Sequence, residues 1–131
     1  MFRFLGLIFS CVVLQLTAMQ NLTLQFAQFF NNKDALGIGS LLDDDFILYD
    51  PGREVRGKAN MVEEFQKQFR ETEKVIYEVV NAYEDGRVGI LEFRIAFGEK
   101  LFYGVDLLEW ENGKIKELRC YYNPPEAPTK P

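Results

Sequence analysis

The chain has 131 residues, of which 47% are hydrophobic, and its formal net charge is −5 at pH 7. This length and apolar content predict one domain with a substantial core. The acidic balance and the absence of any basic run exclude nucleic acid as a partner, because the phosphate backbone would be repelled.

Histidine is absent, and the only cysteines are Cys11 and Cys120. The chain therefore lacks the commonest general base and the commonest metal ligand. Two cysteines are also too few for a zinc site or a disulfide framework. We expect neither a metal nor a cofactor, and we interpret Cys120 as a buried strand residue because no histidine can activate its thiol.

The first eighteen residues have the composition of a secretory signal: one basic residue, an apolar run, and a cleavage sequence that ends at Ala18. The run is short for a membrane span and is interrupted by Ser10 and Gln15, so we expect no stable span. Two alternatives stay open, because Met19 is a second candidate start and the segment is also compatible with an extra N-terminal helix. The protein is exported, to the periplasm or beyond, if residues 1–18 are a signal peptide, and cytoplasmic otherwise.

Three helices are predicted from apolar residues that recur at helical spacing. The first runs from Met19 to Asn31 or Asn32, and the second is short and capped by Asp34. The third covers about Lys58 to Arg70.

Between the second and third helices, a short strand is predicted over Phe46–Tyr49 and is ended by the Pro51-Gly52 turn. The acidic run at residues 43–45 precedes this strand. We interpret the run as a solvated helix terminus and not as a metal cluster, because adjacent side chains diverge.

The rest of the chain alternates as strands do, with turn residues between the strands. The predicted strands are Val75–Val80, Val88–Phe97, Leu101–Glu111 and Lys114–Tyr122. Three helices followed by this meander predict an α+β fold, with the helices packed on one face of a strongly curved antiparallel sheet. Residues 124–131 are rich in proline, cannot join a sheet, and are expected to be a mobile tail.

Both side-chain faces of the strand Leu101–Trp110 are largely apolar. A sheet that is apolar on both faces needs a dry partner on each side. The helices supply one partner, and we expect a second copy of the chain to supply the other, which predicts a homodimer through the sheet face.

Asp106 interrupts the apolar strand, and Asp50 follows the predicted strand Phe46–Tyr49. A carboxylate that faces a core is costly unless it is used, so the two acids predict a pocket with two carboxylates. Two structural alternatives stay open. Asp50 is also compatible with turn hydrogen bonding, and Asp106 with an ion pair to Arg94 or Arg119.

The order of elements and several short motifs resemble the NTF2-like superfamily, and within it the SnoaL-like and ketosteroid-isomerase-like proteins. The resemblance extends from Met19 to Asn123 and includes Asp50-Pro51-Gly52, Arg56-Gly57-Lys58 and the stretch from Val105 to Ile115. It implies a cone-shaped domain that binds small molecules, and it identifies the fold far better than the activity.

The resemblance also implies roles for single residues. Asp50 matches the proton-shuttling base of the steroid isomerases, and Asp106 matches the protonated acid that donates a hydrogen bond to the enolate oxygen. The isomerases' third element, a tyrosine on the first helix, falls on Phe26, which has no donor. Tyr77, Tyr103 and Tyr121 are the candidate replacements. Epoxide hydrolases of this fold have an Arg-x-Asp triplet on one strand, and this chain has none.

The preferred hypothesis is therefore a pocket for a small apolar ligand with a carbonyl or hydroxyl group. Any reaction would be proton abstraction beside the carbonyl, as in an isomerase or cyclase, with Asp50 as the base and Asp106 as the donor. The alternative is a non-catalytic ligand carrier or a dimeric protein-interaction module. The predicted substrate-binding residues are Phe26, Phe46, Tyr49, Phe65, Phe93, Leu108, Trp110 and Tyr121.

Overall fold

The computed structural model describes residues 17–123, and within that range the chain forms three helices and one six-stranded sheet. The predicted leader up to residue 16 and the proline-rich tail at 124–131 lie outside the described residues. The helices are α1 (Ala18–Asn31), α2 (Ala35–Leu41) and α3 (Lys58–Glu71). The strands are β1 (Leu42–Asp50), β2 (Arg53–Arg56), β3 (Val75–Asp85), β4 (Val88–Phe97), β5 (Lys100–Glu111) and β6 (Lys114–Tyr122).

Side-chain caps fix the starts of the first two helices. Thr17 accepts a hydrogen bond from the backbone of Gln20, whose side chain accepts one in return from the Thr17 backbone, which is a capping box. Helix α1 therefore begins at Ala18, one residue before the predicted start. Asp34 accepts a hydrogen bond from the backbone of Gly37 at 2.8 Å and caps α2, as the sequence predicts.

The strand order in the sheet is β2-β1-β6-β5-β4-β3. The predicted antiparallel meander of β3 to β6 is confirmed, whereas β1 joins β6 in parallel. The register shifts at three places, between Leu42 and Ile47 of β1, after Val79 of β3 and after Glu109 of β5. A β-bulge at such a shift bends its strand, so the sheet curves around the helices.

Two predicted boundaries differ from the structure by several residues, and one strand was not predicted. Strand β1 begins at Leu42, so the acidic run at 43–45 lies in a strand and not at a helix terminus. Strand β3 continues to Asp85, well beyond Val80. Strand β2 was not predicted, because three of its four residues are charged and give no apolar alternation.

The helices pack on the concave face of the sheet, where Phe30 of α1 is the centre of an aromatic cluster. Its ring centroid lies 5.1 Å from that of Phe69, 5.4 Å from Tyr77 and 5.7 Å from Phe65. The contacts with Phe65 and Phe69 are edge-to-face, and the contact with Tyr77 is tilted. Aromatic contacts of this kind add to the stabilisation from burying apolar area. The cluster therefore anchors α1 and α3 to the first strand of the meander.

In the described part of the chain, no helix is both long enough and apolar enough to cross a membrane. Residues 17–123 also contain no cluster of three acidic or cysteine side chains that would hold a metal ion.

Candidate functional site

A cavity of about 180 Å³ lies between the helices and the concave face of the sheet. Half of the residues that line it are aromatic. Helices α1 and α3 contribute Phe26, Phe30 and Phe65, and the strands contribute Tyr77, Phe93, Phe97, Phe102 and Tyr122. Small-molecule sites have this character, an apolar wall with a few polar groups at fixed positions.

Asp106 is the buried polar group of the cavity, with 4% of its surface exposed. It lies on β5 directly opposite Cys120 of β6, and both side chains line the cavity. The Tyr77 hydroxyl donates a hydrogen bond to Asp106 Oδ2 at 2.7 Å. Tyr77 comes from β3 and reaches across the intervening strand β4, so the concave curvature of the sheet brings the two side chains together.

Burial raises the pKa of Asp106 from 3.8 to about 6, because the charged form is poorly solvated inside the protein. Hydrogen bonds from Cys120 and Tyr77 lower this pKa in part, and the negative charge of Asp50 raises it. Burial and the neighbouring Asp106 likewise raise the pKa of the Tyr77 hydroxyl and of the Cys120 thiol, so both remain protonated donors at neutral pH. Asp106 is thus a carboxyl group whose protonation changes near neutrality.

Asp50 ends β1 and also lines the cavity. Its carboxylate accepts a hydrogen bond from Arg53 at 2.9 Å, and its side chain is 10% exposed. Arg53 donates a second bond, at 3.1 Å, to Glu64 of α3. The carboxylate of Asp50 is therefore paired with a guanidinium group. The alternative prediction, in which Asp50 accepts only backbone hydrogen bonds in the turn, was wrong.

The mouth of the cavity can be located because four of its residues also line a wider groove outside. These residues are Asp50, Arg53, Gln68 and Tyr122. The groove has a volume of about 400 Å³ and continues over Glu64, Lys67 and Glu71. The cavity is therefore polar at two places, at Asp106 inside and at the Asp50–Arg53 pair near the mouth.

The structure brings five of the predicted site residues together around the cavity: Asp50, Asp106, Phe26, Phe65 and Phe93. The two aspartates, far apart in the sequence, therefore lie on the wall of one cavity.

The other five predicted residues lie elsewhere. Phe46 and Leu108 are fully buried in the core, and the Trp110 indole donates a hydrogen bond to Thr23 of α1 at 3.0 Å. Tyr49 and Tyr121 are outside the cavity because side chains alternate along a strand. Their neighbours Asp50 and Tyr122 point inward instead.

The alternative of an ion pair between Asp106 and an arginine is not realised. Arg94 lies on the outer face of the sheet, over the Tyr103 ring at 5.4 Å and 3.7 Å from Glu78. Arg119 is paired with Glu109 and Glu117. Within residues 17–123, Asp106 is therefore hydrogen-bonded to the Tyr77 phenol and has no cationic partner.

Sequence reasoning did not place Arg53, Gln68 and Cys120 in the site, and it named Tyr77 only as one candidate for a missing donor. Tyr77 lies two residues after the buried Val75 on β3. Because side chains alternate between the two faces of a strand, this spacing could have predicted that Tyr77 points inward. Arg53 and Gln68 come from separate elements, and nothing in their local sequence marks them.

A family model, the SnoaL-like domain, matches residues 23–118 of this chain. Among curated proteins, none matches its sequence.

Solved structures share the fold. An NTF2-like protein of unknown function from Cytophaga hutchinsonii has a TM-score of 0.74 and 22% identity, over 85% of this chain and 95% of that one. A candidate ketosteroid isomerase from Kribbella flavida has a TM-score of 0.71 and 17% identity, over 84% and 81%. An LEH-like epoxide hydrolase from M. tuberculosis has a TM-score of 0.68 and 19% identity, over 80% and 82%. Identities this low establish the fold alone.

Proposed function

The chain belongs to the SnoaL-like domain family of the NTF2-like superfamily, and from this premise we propose that its cavity binds a small, largely apolar molecule with a carbonyl or hydroxyl group. Asp106 is the hydrogen-bonding group for that oxygen. The aromatic wall supplies the apolar contact, and Asp50 faces the bound molecule from the mouth.

The observation that carries this proposal is the burial of Asp106, which has no cationic partner in the described part of the chain. A buried acid of this kind lowers stability, so its presence is accounted for most simply by a ligand that uses it. In its neutral form the carboxyl group donates a hydrogen bond to a ligand oxygen, and the Tyr77 hydroxyl at 2.7 Å holds the carboxyl in place.

Tyr77 also supplies a phenol next to Phe26, the residue to which the resemblance assigns the helix tyrosine of the isomerases. The two rings pack edge-on, with centroids 6.3 Å apart. The hydroxyl group is thus delivered from β3 and not from α1. It donates to Asp106, and so it supports the ligand contact through that residue.

This arrangement suits proton abstraction next to a carbonyl. Asp50 takes a proton from the carbon beside the carbonyl, and the electron pair of the broken C–H bond moves to the carbonyl oxygen. The resulting enolate oxygen accepts a hydrogen bond from neutral Asp106. Asp50 then returns the proton to another carbon of the conjugated system, which completes an isomerisation. The proton is conserved, so the reaction needs no cofactor.

One observation favours a second candidate, a non-catalytic carrier. Asp50 already accepts a hydrogen bond from Arg53, so its carboxylate has to share or release that donor before it takes a proton. A carrier would use the same cavity and the same Asp106 contact, and would need no base.

The proposal predicts that ketone binding depends on pH. With a pKa of about 6, Asp106 is largely protonated at pH 5 but in only about one molecule in a hundred at pH 8, so affinity falls by up to about a hundredfold between them. Calorimetric titration with cyclohex-2-enone at the two pH values measures this ratio. The Asp106→Asn variant, which cannot ionise, should show equal affinities. Absence of binding at pH 5, or an affinity independent of pH in the wild type, rejects the proposal.

We further propose that the outer face of the sheet forms a homodimer. Five large apolar side chains on that face are more than a third exposed: Ile76, Val80, Tyr83, Leu101 and Tyr121. Exposed apolar surface of this extent is typical of interfaces.

Sedimentation should therefore give the mass of a dimer for the wild type and of a monomer for Tyr121→Glu. The exposed Leu36 on α2 offers a matched control, because Leu36→Glu leaves the sheet unchanged. A monomeric wild type, or a dimer that Leu36→Glu alone disrupts, contradicts this arrangement.

A further inference from the structure

The volume of the cavity limits what it can hold. An engineered apolar cavity of about 150 Å³ binds benzene, whereas sites for drug-sized ligands begin at about 300 Å³. At about 180 Å³, this cavity is close to the first of these sizes. It has room for one six-membered ring with a small substituent.

The wall opposite the helices is held by contacts between rings. Phe97 and Phe102 pack edge-to-face with centroids 5.9 Å apart, and Phe102 and Tyr122 do so at 5.3 Å. All three rings line the cavity. A bulkier ligand would have to separate three half-buried rings, and the aromatic contacts between them would be lost.

The mouth gives no apolar route for a longer ligand. The groove outside it is lined by Glu64, Lys67 and Glu71 in addition to the Asp50–Arg53 pair. A second apolar ring placed there would desolvate charged groups without pairing them, which opposes binding. A short polar substituent would meet no such penalty.

We propose that the natural ligand is a monocyclic ketone, enone or phenol, and that Phe97 and Phe102 exclude fused-ring molecules such as steroids and polycyclic polyketides. The inference rests on the proposed function, since it places the carbonyl or hydroxyl oxygen at Asp106 and the carbon beside the carbonyl toward Asp50.

Two ketones that differ by one fused ring test this inference, cyclohex-2-enone and 1-tetralone, each titrated calorimetrically at pH 5 and at pH 8. The wild type should bind the single-ring ketone at least about tenfold more tightly, because hydrophobic pockets discriminate by about this factor per misfitting group. Phe102→Ala should bind 1-tetralone at least about tenfold more tightly than the wild type does. Phe29→Ala is the matched control, because Phe29 is also half-buried but does not line the cavity.

The outcomes separate the two proposals. If 1-tetralone binds the wild type as tightly as cyclohex-2-enone, and both lose affinity at pH 8, the size limit is wrong while the proposed function stands. If neither ketone binds at either pH, both proposals fail. If Phe102→Ala does not fold, Phe102→Leu replaces it in the test. A folded Phe102 variant that binds the two ketones with the same ratio of affinities as the wild type also overturns the size limit.

Discussion

Replacing Asp106 with asparagine is expected to raise the free energy of unfolding at pH 7 by up to about 3 kcal/mol. Burial raises the pKa of Asp106 from 3.8 to about 6, and each unit of such a shift corresponds to about 1.4 kcal/mol. Asparagine removes the buried charge while its amide oxygen still accepts the hydrogen bond from Tyr77. An acid retained at this cost to stability is expected where function requires it.

The sign of the effect follows from proton linkage. Below about pH 4, Asp106 is protonated in both the folded and the unfolded chain, and the substitution should have little effect. Between about pH 4 and pH 6 only the folded chain keeps the proton, so the wild type loses stability as the pH rises. Above about pH 6 the difference between the two proteins should be constant.

Urea denaturation of wild type and Asp106→Asn between pH 4 and pH 7 measures that difference directly. Asp45→Asn is a suitable control, because Asp45 is an exposed acid on β1 that does not line the cavity. A difference that is the same at every pH, or an asparagine variant less stable than the wild type at pH 7, would contradict the burial of a titrating acid at this position.

Asp50→Asn is expected to reduce proton abstraction from a bound ketone by about a hundredfold or more, because a positioned base contributes about 10²- to 10⁴-fold. Exchange of the α-protons of cyclohex-2-enone for deuterium, followed by NMR, reports this step without knowledge of the natural substrate. Ketone affinity should change little, because Asp106 still holds the oxygen.

The control separates a local effect from a general one. Asp45→Asn removes an acid from the same strand at a position outside the cavity. This variant should catalyse the exchange of the ketone's α-protons at the wild-type rate. Wild-type exchange no faster than that in buffer, combined with pH-dependent ketone binding, would identify a carrier and remove the catalytic part of the proposal.

Much of the fold follows from patterns along the chain. Strands β4 and β6 have their predicted bounds, because Gly86, Gly98 and Gly113 mark the turns between segments of clear alternation. The parallel pairing of β1 with β6 could not be predicted in the same way. Turn residues specify antiparallel neighbours only, whereas β1 and β6 are separated by most of the domain.

A single β-bulge explains why Tyr121 was predicted to line the pocket and Tyr122 was not. A regular hairpin around Asn112-Gly113, which pairs Glu111 with Lys114, would place Arg119 opposite Asp106 and turn Tyr121 inward. The bulge after Glu109 shifts the register by one residue, so that Cys120 lies opposite Asp106. A shift of one residue exchanges the two faces of the strand. No local signal in the sequence marks this bulge.

Asp106 could be identified from the sequence because it interrupts an apolar face, whereas its partner could not. Tyr77 reaches Asp106 only because the sheet is curved, and curvature depends on register shifts that the residue pattern does not encode. The Arg53 contact was missed for a related reason. Strand β2 carries one apolar residue among charged ones, and so its sequence does not predict a strand.

A crystal structure of the protein with cyclohex-2-enone at pH 5 would test the central claim most directly. It should show the ring within the aromatic wall and the ketone oxygen about 2.5–3.0 Å from a carboxyl oxygen of Asp106. A ketone bound in the outer groove or on the outer face of the sheet, with Asp106 making no contact to it, would contradict the claim.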